Sequence, residues 1–167
     1  MTGDTLLGVS DTPLSVATIS QDESRYLMHT FKRQPVELVR GEGARVWDAD
    51  GNQLLDFVGG IAVNVLGHAH PAVVRAIADQ AATLIHTSNL YYTRPQVELG
   101  ELLVAMGFEG RCFFGNSGAE ANEAAVKLAR KWGKLNRGGA FEVISALGSF
   151  HGRTLATLTA TGQPTKH

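Results

Sequence analysis

Residues 115–119, Gly-Asn-Ser-Gly-Ala, carry almost no side-chain bulk, so a ligand can approach their backbone closely. A run of strong helix formers, Ala119 to Trp132, follows directly. The first N–H groups of a helix have no partner inside it, and the helix dipole places positive potential at the same end. Ser117 adds a hydroxyl donor. Such a turn suits anion binding. The pattern is neither the G-x-x-x-x-G-K-[ST] loop nor G-x-G-x-x-G. A plainer role fits the same residues: Ser117 or Asn116 as a helix cap, with Glu120 and Glu123 simply suiting the dipole.

A second cluster is Ser149 to Thr154, SFHGRT. Phe150 can stack on a flat ring, His151 can donate or stack, and Arg153 offers a planar fork for a carboxylate. Each also has an ordinary reading. Phe150 can be a core anchor, His151 a satisfied loop histidine, and Arg153 a surface ion-pair partner.

Both clusters follow apolar segments of strand type, 111–114 and 141–147. Ligands of open α/β sheets bind beyond the carboxyl ends of the strands, so the two loops are expected on one sheet edge. The helix of 119–132 turns Ala125, Leu128, Ala129 and Trp132 to one face. Upstream, Pro71 suits the first turn of a helix carrying Val74, Ile77, Ala81 and Leu84 or Ile85. Another helix spans roughly Pro95 to Met106. From residue 71 on, helix and strand alternate, which predicts an α/β layer with a mainly parallel sheet. Before it, segments around Val46-Trp47 and Leu54-Leu55 flank Asp48-Ala49-Asp50-Gly51-Asn52, a turn in which Gly51 can take positive φ. Residues 1–20 are expected to be a loose leader, and SRYLMHTF a short helix or arm.

The chain has 167 residues, 44% hydrophobic and 19% charged, with formal net charge −1. This is globular composition, and it gives no electrostatic reason to expect nucleic acid or an anionic membrane as partner. The single cysteine, Cys112, can build neither a disulfide framework nor a cysteine metal site. Beside Phe113 and Phe114 it is expected to be a buried strand thiol. No apolar run approaches the ~20 residues that span a bilayer. The first twenty residues lack the basic and apolar regions of a targeting peptide, so a cytoplasmic location is the expectation.

FFGNSGAEANEAAVKLARKW followed by SFHGRTLATLTATGQP resembles the class III (subgroup II) aminotransferases, fold type I enzymes that use pyridoxal 5'-phosphate. Within that class it is most similar to the acetylornithine aminotransferase family of arginine biosynthesis. PVELVRGEGARVWDADGNQLLDFVGGIAVNVLGHAHP and SNLYY support the resemblance, which runs from about residue 25 to the end. The resemblance implies a flexible leader over 1–24, the N-terminal segment of a small domain over 25–70, and the first part of a large cofactor-binding domain over 71–167. It implies that Ser117, Gly118 and Ala119 bind the cofactor phosphate. Phe150 would stack on the pyridine ring, and Arg153 would hold the substrate α-carboxylate. It also implies amino-acid and 2-oxo-acid substrates and a homodimer.

One departure is Phe31, where the family often has tyrosine. The family's Schiff-base lysine, and the aspartate that pairs with the pyridinium nitrogen, lie beyond the matched pattern, so no catalytic residue is assigned here. Lys127 lies about 13 Å along the helix from Gly118, and Lys166 stands near the last residue; neither suits that role. The expectation is an N-terminal fragment, inactive alone, whose strands 111–114 and 141–146 lack the neighbours that family order puts between them. Another ω-aminotransferase of the class, acting on ornithine or 4-aminobutyrate, is the alternative. A non-catalytic phosphate-binding module is a third.

Overall fold

The structure is a computed structural model and describes residues 16–107 and 109–167. The chain forms two compact units, Met1–Leu90 and Tyr91–His167.

In the first unit, helix α1 covers Val16–Tyr26, so helix takes up the last residues of the stretch expected to be a leader. The remaining leader residues, 1–15, lie outside the described part of the chain. Three strands follow: β1 (Leu38–Glu42), β2 (Arg45–Asp48) and β3 (Gln53–Leu55), antiparallel in the order β1-β2-β3. Val46 of β2, paired with Leu54, is buried. The turn between β2 and β3 closes on one carboxylate. Asp48 Oδ1 accepts from the N–H of Asp50 at 3.1 Å and of Asn52 at 2.8 Å, and Gly51 takes φ 86° as the sequence suggests.

His68 docks on this sheet. Its backbone pairs with Gly43 in both directions, and its ring lies over Gly41, where a Cβ would come within 2.5 Å of the ring. His68 Nε2 lies 2.7 Å from Asp56 Oδ2, while Asp56 Oδ1 accepts from the N–H groups of Val58 and Gly59. The Gly59 N–H, then His68, then the Val58 N–H hold the Asp56 carboxyl below its usual range. The carboxylate thus clasps a tight turn, α2 (Gly59–Ala62), whose four residues all have positive φ. For the β-branched Ile61, at φ 61°, that conformation is strained. Helix α3 (Pro71–Thr83) follows, with the His70 side chain accepting from Ala72 N–H.

The second unit holds α4 (Arg94–Met106), α5 (Gly118–Asn136) and α6 (Leu155–Ala160). Helices α4 and α5 lie where the periodicity puts them. The two expected strands do not form. Residues 111–114 and 141–147 have no ladder, apart from one parallel bridge between Leu147 and Gly162. A strand exists only through a ladder of hydrogen bonds to a neighbour, and among the described residues these segments find no such ladder. Cys112 is consequently exposed rather than buried, its Sγ 3.8 Å from the Gly100 carbonyl. The apolar helix faces are open too: Ile77, Leu102 and Leu128 are 64%, 60% and 72% exposed.

Candidate functional site

Helix α5 begins at the small-residue turn. Ser117 is its N-cap, in extended geometry, and its Oγ accepts from the Glu120 N–H at 3.2 Å. Glu120 folds back so that Oε2 accepts from the Asn116 N–H at 2.6 Å. Capping therefore does occur here, as one reading of the sequence held. It leaves groups free. The N–H groups of Gly118 and Ala119 have no hydrogen-bond partner among the described residues. A serine oxygen that accepts one bond still has its own proton to donate.

Gly152 brings the second cluster onto this turn. It is buried at φ 138°, and a Cβ there would come within 2.7 Å of Ala119 Cβ and 2.6 Å of Thr157 Oγ1. Only glycine accepts both that backbone and that approach. His151 and Thr154, on either side of the loop, are held from α5 and from Thr161 just past α6. Asn122 Nδ2 donates to the His151 carbonyl at 2.7 Å, and the His151 N–H donates to Thr161 Oγ1 at 3.0 Å. Thr154 caps α6 in a capping box with Thr157, and its hydroxyl also donates to Glu123 Oε1 at 2.5 Å. Glu123 further accepts from the Ala156 N–H at 3.2 Å. The Thr154 hydroxyl is the largest influence holding the Glu123 carboxyl below its usual range; the Ala156 and Thr157 N–H groups and Lys127 act in the same direction, against desolvation.

Phe150 is 58% exposed, so it is no core anchor. The Arg153 guanidinium lies over its ring, 5.4 Å from the centroid, and has no carboxylate partner among the described residues. The ion-pair reading of Arg153 therefore finds no support. All five candidates lie on two segments, Ser117, Gly118 and Ala119 at the start of α5 and Phe150 and Arg153 on the loop before α6, joined at the Ala119–Gly152 approach. Phe31 is exposed in the other unit.

The sequence reading missed Asn122, Thr157 and Thr161, and took Glu123 for a dipole residue. The signal was a spacing. Residues 119, 122, 123 and 126 lie on one helical face. That covered side is distinct from the apolar stripe of Ala125, Leu128 and Trp132, which stays exposed.

Residues 27–167 match the family model described as aminotransferase class-III. An acetylornithine aminotransferase of Caldanaerobacter subterraneus subsp. tengcongensis is 58% identical over 87% of this chain and 37% of its own length. That of Methanothermobacter thermautotrophicus is 57% identical over 84% of this chain and 35% of its own. Among solved structures, acetylornithine aminotransferase from Elizabethkingia anophelis superposes with TM-score 0.72 at 34% identity, covering 78% of this chain and 33% of that one. An ornithine aminotransferase from Toxoplasma gondii, with partial occupancy of PLP at its active site, superposes with TM-score 0.82 at 28% identity, covering 89% and 35%. The chain thus spans a little over a third of the length of these curated relatives. Its fold is part of the α/β fold type I architecture, with the small antiparallel sheet at its N-terminal side. By sequence and by fold, the chain belongs to the class-III aminotransferases.

Proposed function

We propose that this chain supplies the cofactor-phosphate cradle and the ring-and-carboxylate loop of an acetylornithine aminotransferase, which moves an amino group between N-acetylornithine and 2-oxoglutarate. The observation that carries the reading is the close Ala119–Gly152 approach, which sets an anion-suited helix start beside an exposed aromatic ring and an arginine that has no ion-pair partner among the described residues. The residues fit pyridoxal phosphate. The free N–H groups of Gly118 and Ala119 and the Ser117 hydroxyl suit a phosphate dianion at a positive helix end. A Cβ at Gly118 would meet nothing within 4 Å, so the space beside it is open to a ligand. The Phe150 ring offers a face to a pyridine ring, and Arg153 a fork to a carboxylate. When bound, pyridoxal phosphate supplies the electron sink for amino transfer. These residues orient it, neutralise its phosphate and place the donor carboxylate.

The domain division into 25–70 and 71–167, a homodimer and a cytoplasmic location belong to the same proposal. Two curated relatives at 58% and 57% identity favour N-acetylornithine over other ω-amines. Among the described residues, no helix is long and apolar enough to cross a membrane.

The test is a comparison of N-acetylornithine with ornithine as donor for the full-length enzyme. A higher kcat/KM for the acetylated donor is expected, and preference for ornithine would move the chain to the ornithine branch of the class. Ser117→Ala is expected to weaken cofactor affinity, and Arg153→Ala to raise the donor KM. If neither changes, these two loops do not form the site.

A further inference from the structure

Arg153 is exposed; its guanidinium lies over the Phe150 ring beside it and has no ion-pair partner among the described residues. The direction of its guanidinium therefore depends on how firmly its backbone is held. On one side the His151 carbonyl is tied to Asn122. Between them Gly152 presses on Ala119. On the other side Thr154 is tied to Glu123, which also reaches the Ala156 N–H. The three gripping residues, Ala119, Asn122 and Glu123, stand on one face of the first turns of α5. The helix that presents the free N–H groups is thus the helix that holds the Arg153 loop.

Glu123 is the strongest of the three grips. An ionised carboxylate accepting an O–H and an N–H makes two charge-assisted bonds. It acts on α6, a helix of six residues, too short to be stable without partners. The buried Thr157 and Thr161 complete the joint, both 1% exposed. Thr161 Oγ1 donates to the Thr157 carbonyl at 2.8 Å while accepting from His151 N–H.

We propose that Glu123 is a positioning residue: through the Thr154 hydroxyl and the Ala156 N–H it fixes the loop bearing Phe150 and Arg153 against the helix bearing the anion cradle. The role rests on cofactor and carboxylate binding by these two loops. Glu123 acts only through its bonds to Thr154 and Ala156 in this role. It governs the distance and angle between the phosphate end of the site and the carboxylate end.

The test uses the full-length enzyme loaded with pyridoxal phosphate, and glutarate as an unreactive carboxylate probe. Its dissociation constant is measured by calorimetry for Glu123→Ala, Glu123→Gln, Arg153→Ala and the Glu123→Ala/Arg153→Ala double variant. Glu123→Ala is expected to weaken glutarate binding about tenfold, as a displaced positioning contact does. Glu123→Gln, whose amide oxygen still accepts both bonds, is expected to stay within about twofold of the parent, the scatter of independent effects. In the Arg153→Ala background the Glu123→Ala effect should vanish, because Glu123 acts through Arg153. If Glu123→Ala does not fold, Thr154→Val takes its place in the cycle and is expected to show the same coupling.

Additive effects in the double variant, or unchanged glutarate binding in Glu123→Ala, would overturn the role of Glu123 alone. Unchanged binding in Arg153→Ala would overturn the carboxylate site and this role together.

Discussion

A methyl group added at Gly118 meets no atom within 4 Å beyond its chain neighbours and its own helix backbone, and Gly118 is not among the residues with positive φ. The fold therefore gives no reason for glycine at that position, whereas a ligand approaching the helix start does. Gly118→Ala is expected to raise the stability of the chain by about 0.5 kcal/mol through the unfolded state. In the full-length enzyme it should weaken pyridoxal phosphate binding. Thermal melts and cofactor titration read the two effects, and unchanged cofactor affinity would remove Gly118 from the cradle. Gly152 is the opposite case. Its φ of 138° and the Cβ distance of 2.7 Å to Ala119 leave no room for a side chain. Gly152→Ala is expected to destabilise the chain by about 1–3 kcal/mol, from overpacking and backbone strain together. A melting temperature unchanged from the parent would refute the close approach.

Helix α6 is held from outside itself. Thr161 lies just beyond its last residue and accepts the His151 N–H, so Thr161→Val would leave a part-buried donor unpaired. The expected loss is about 1–3 kcal/mol, measured by chemical denaturation. Glu123 adds a pH dependence with a definite sign. Its carboxyl lies below the ordinary value of 4.5 in the folded chain. Its contribution is thus fully present above that value and is lost as pH falls through the lower folded value. The parent should lose stability on acidification more steeply than Glu123→Gln, and parallel curves would count against the Thr154 and Ala156 bonds. What the sequence showed of these elements follows from what each one needs. The β2–β3 turn and the helices α3, α4 and α5 depend on local signals: Gly51, Pro71, Pro95 and a period in the apolar residues. The segments 111–114 and 141–147 have the residues of strands, yet a strand depends on a neighbour. The five candidates, Ser117, Gly118, Ala119, Phe150 and Arg153, could be proposed from the sequence because small residues, a hydroxyl, an aromatic ring and a guanidinium advertise their chemistry. Glu123 was not, because an acidic residue early in a helix has a sufficient explanation in the dipole alone.

Over the whole chain, large apolar side chains face outward in both units. Ile85 is 86% exposed in the first, and Met106 and Leu147 are 84% and 98% exposed in the second. Exposed apolar surface on this scale marks an interface or an association hazard. The isolated 167-residue chain is expected to bind a hydrophobic dye strongly and to self-associate with rising concentration. A dye-silent monomer in light scattering would contradict the exposed faces. Lys127, exposed on α5 and close enough to Glu123 to lower its pKa, lacks the dry surroundings of a reactive amine. Borohydride treatment of the isolated chain with pyridoxal phosphate should leave no stoichiometric adduct on Lys127 by mass spectrometry. The grip of one helix face on the second loop also bears on redesign. A version of residues 149–154 transplanted from a relative by itself would arrive without its footing. The graft would have to carry the matching residues at 119, 122 and 123, because this loop and the start of α5 are joined into one part.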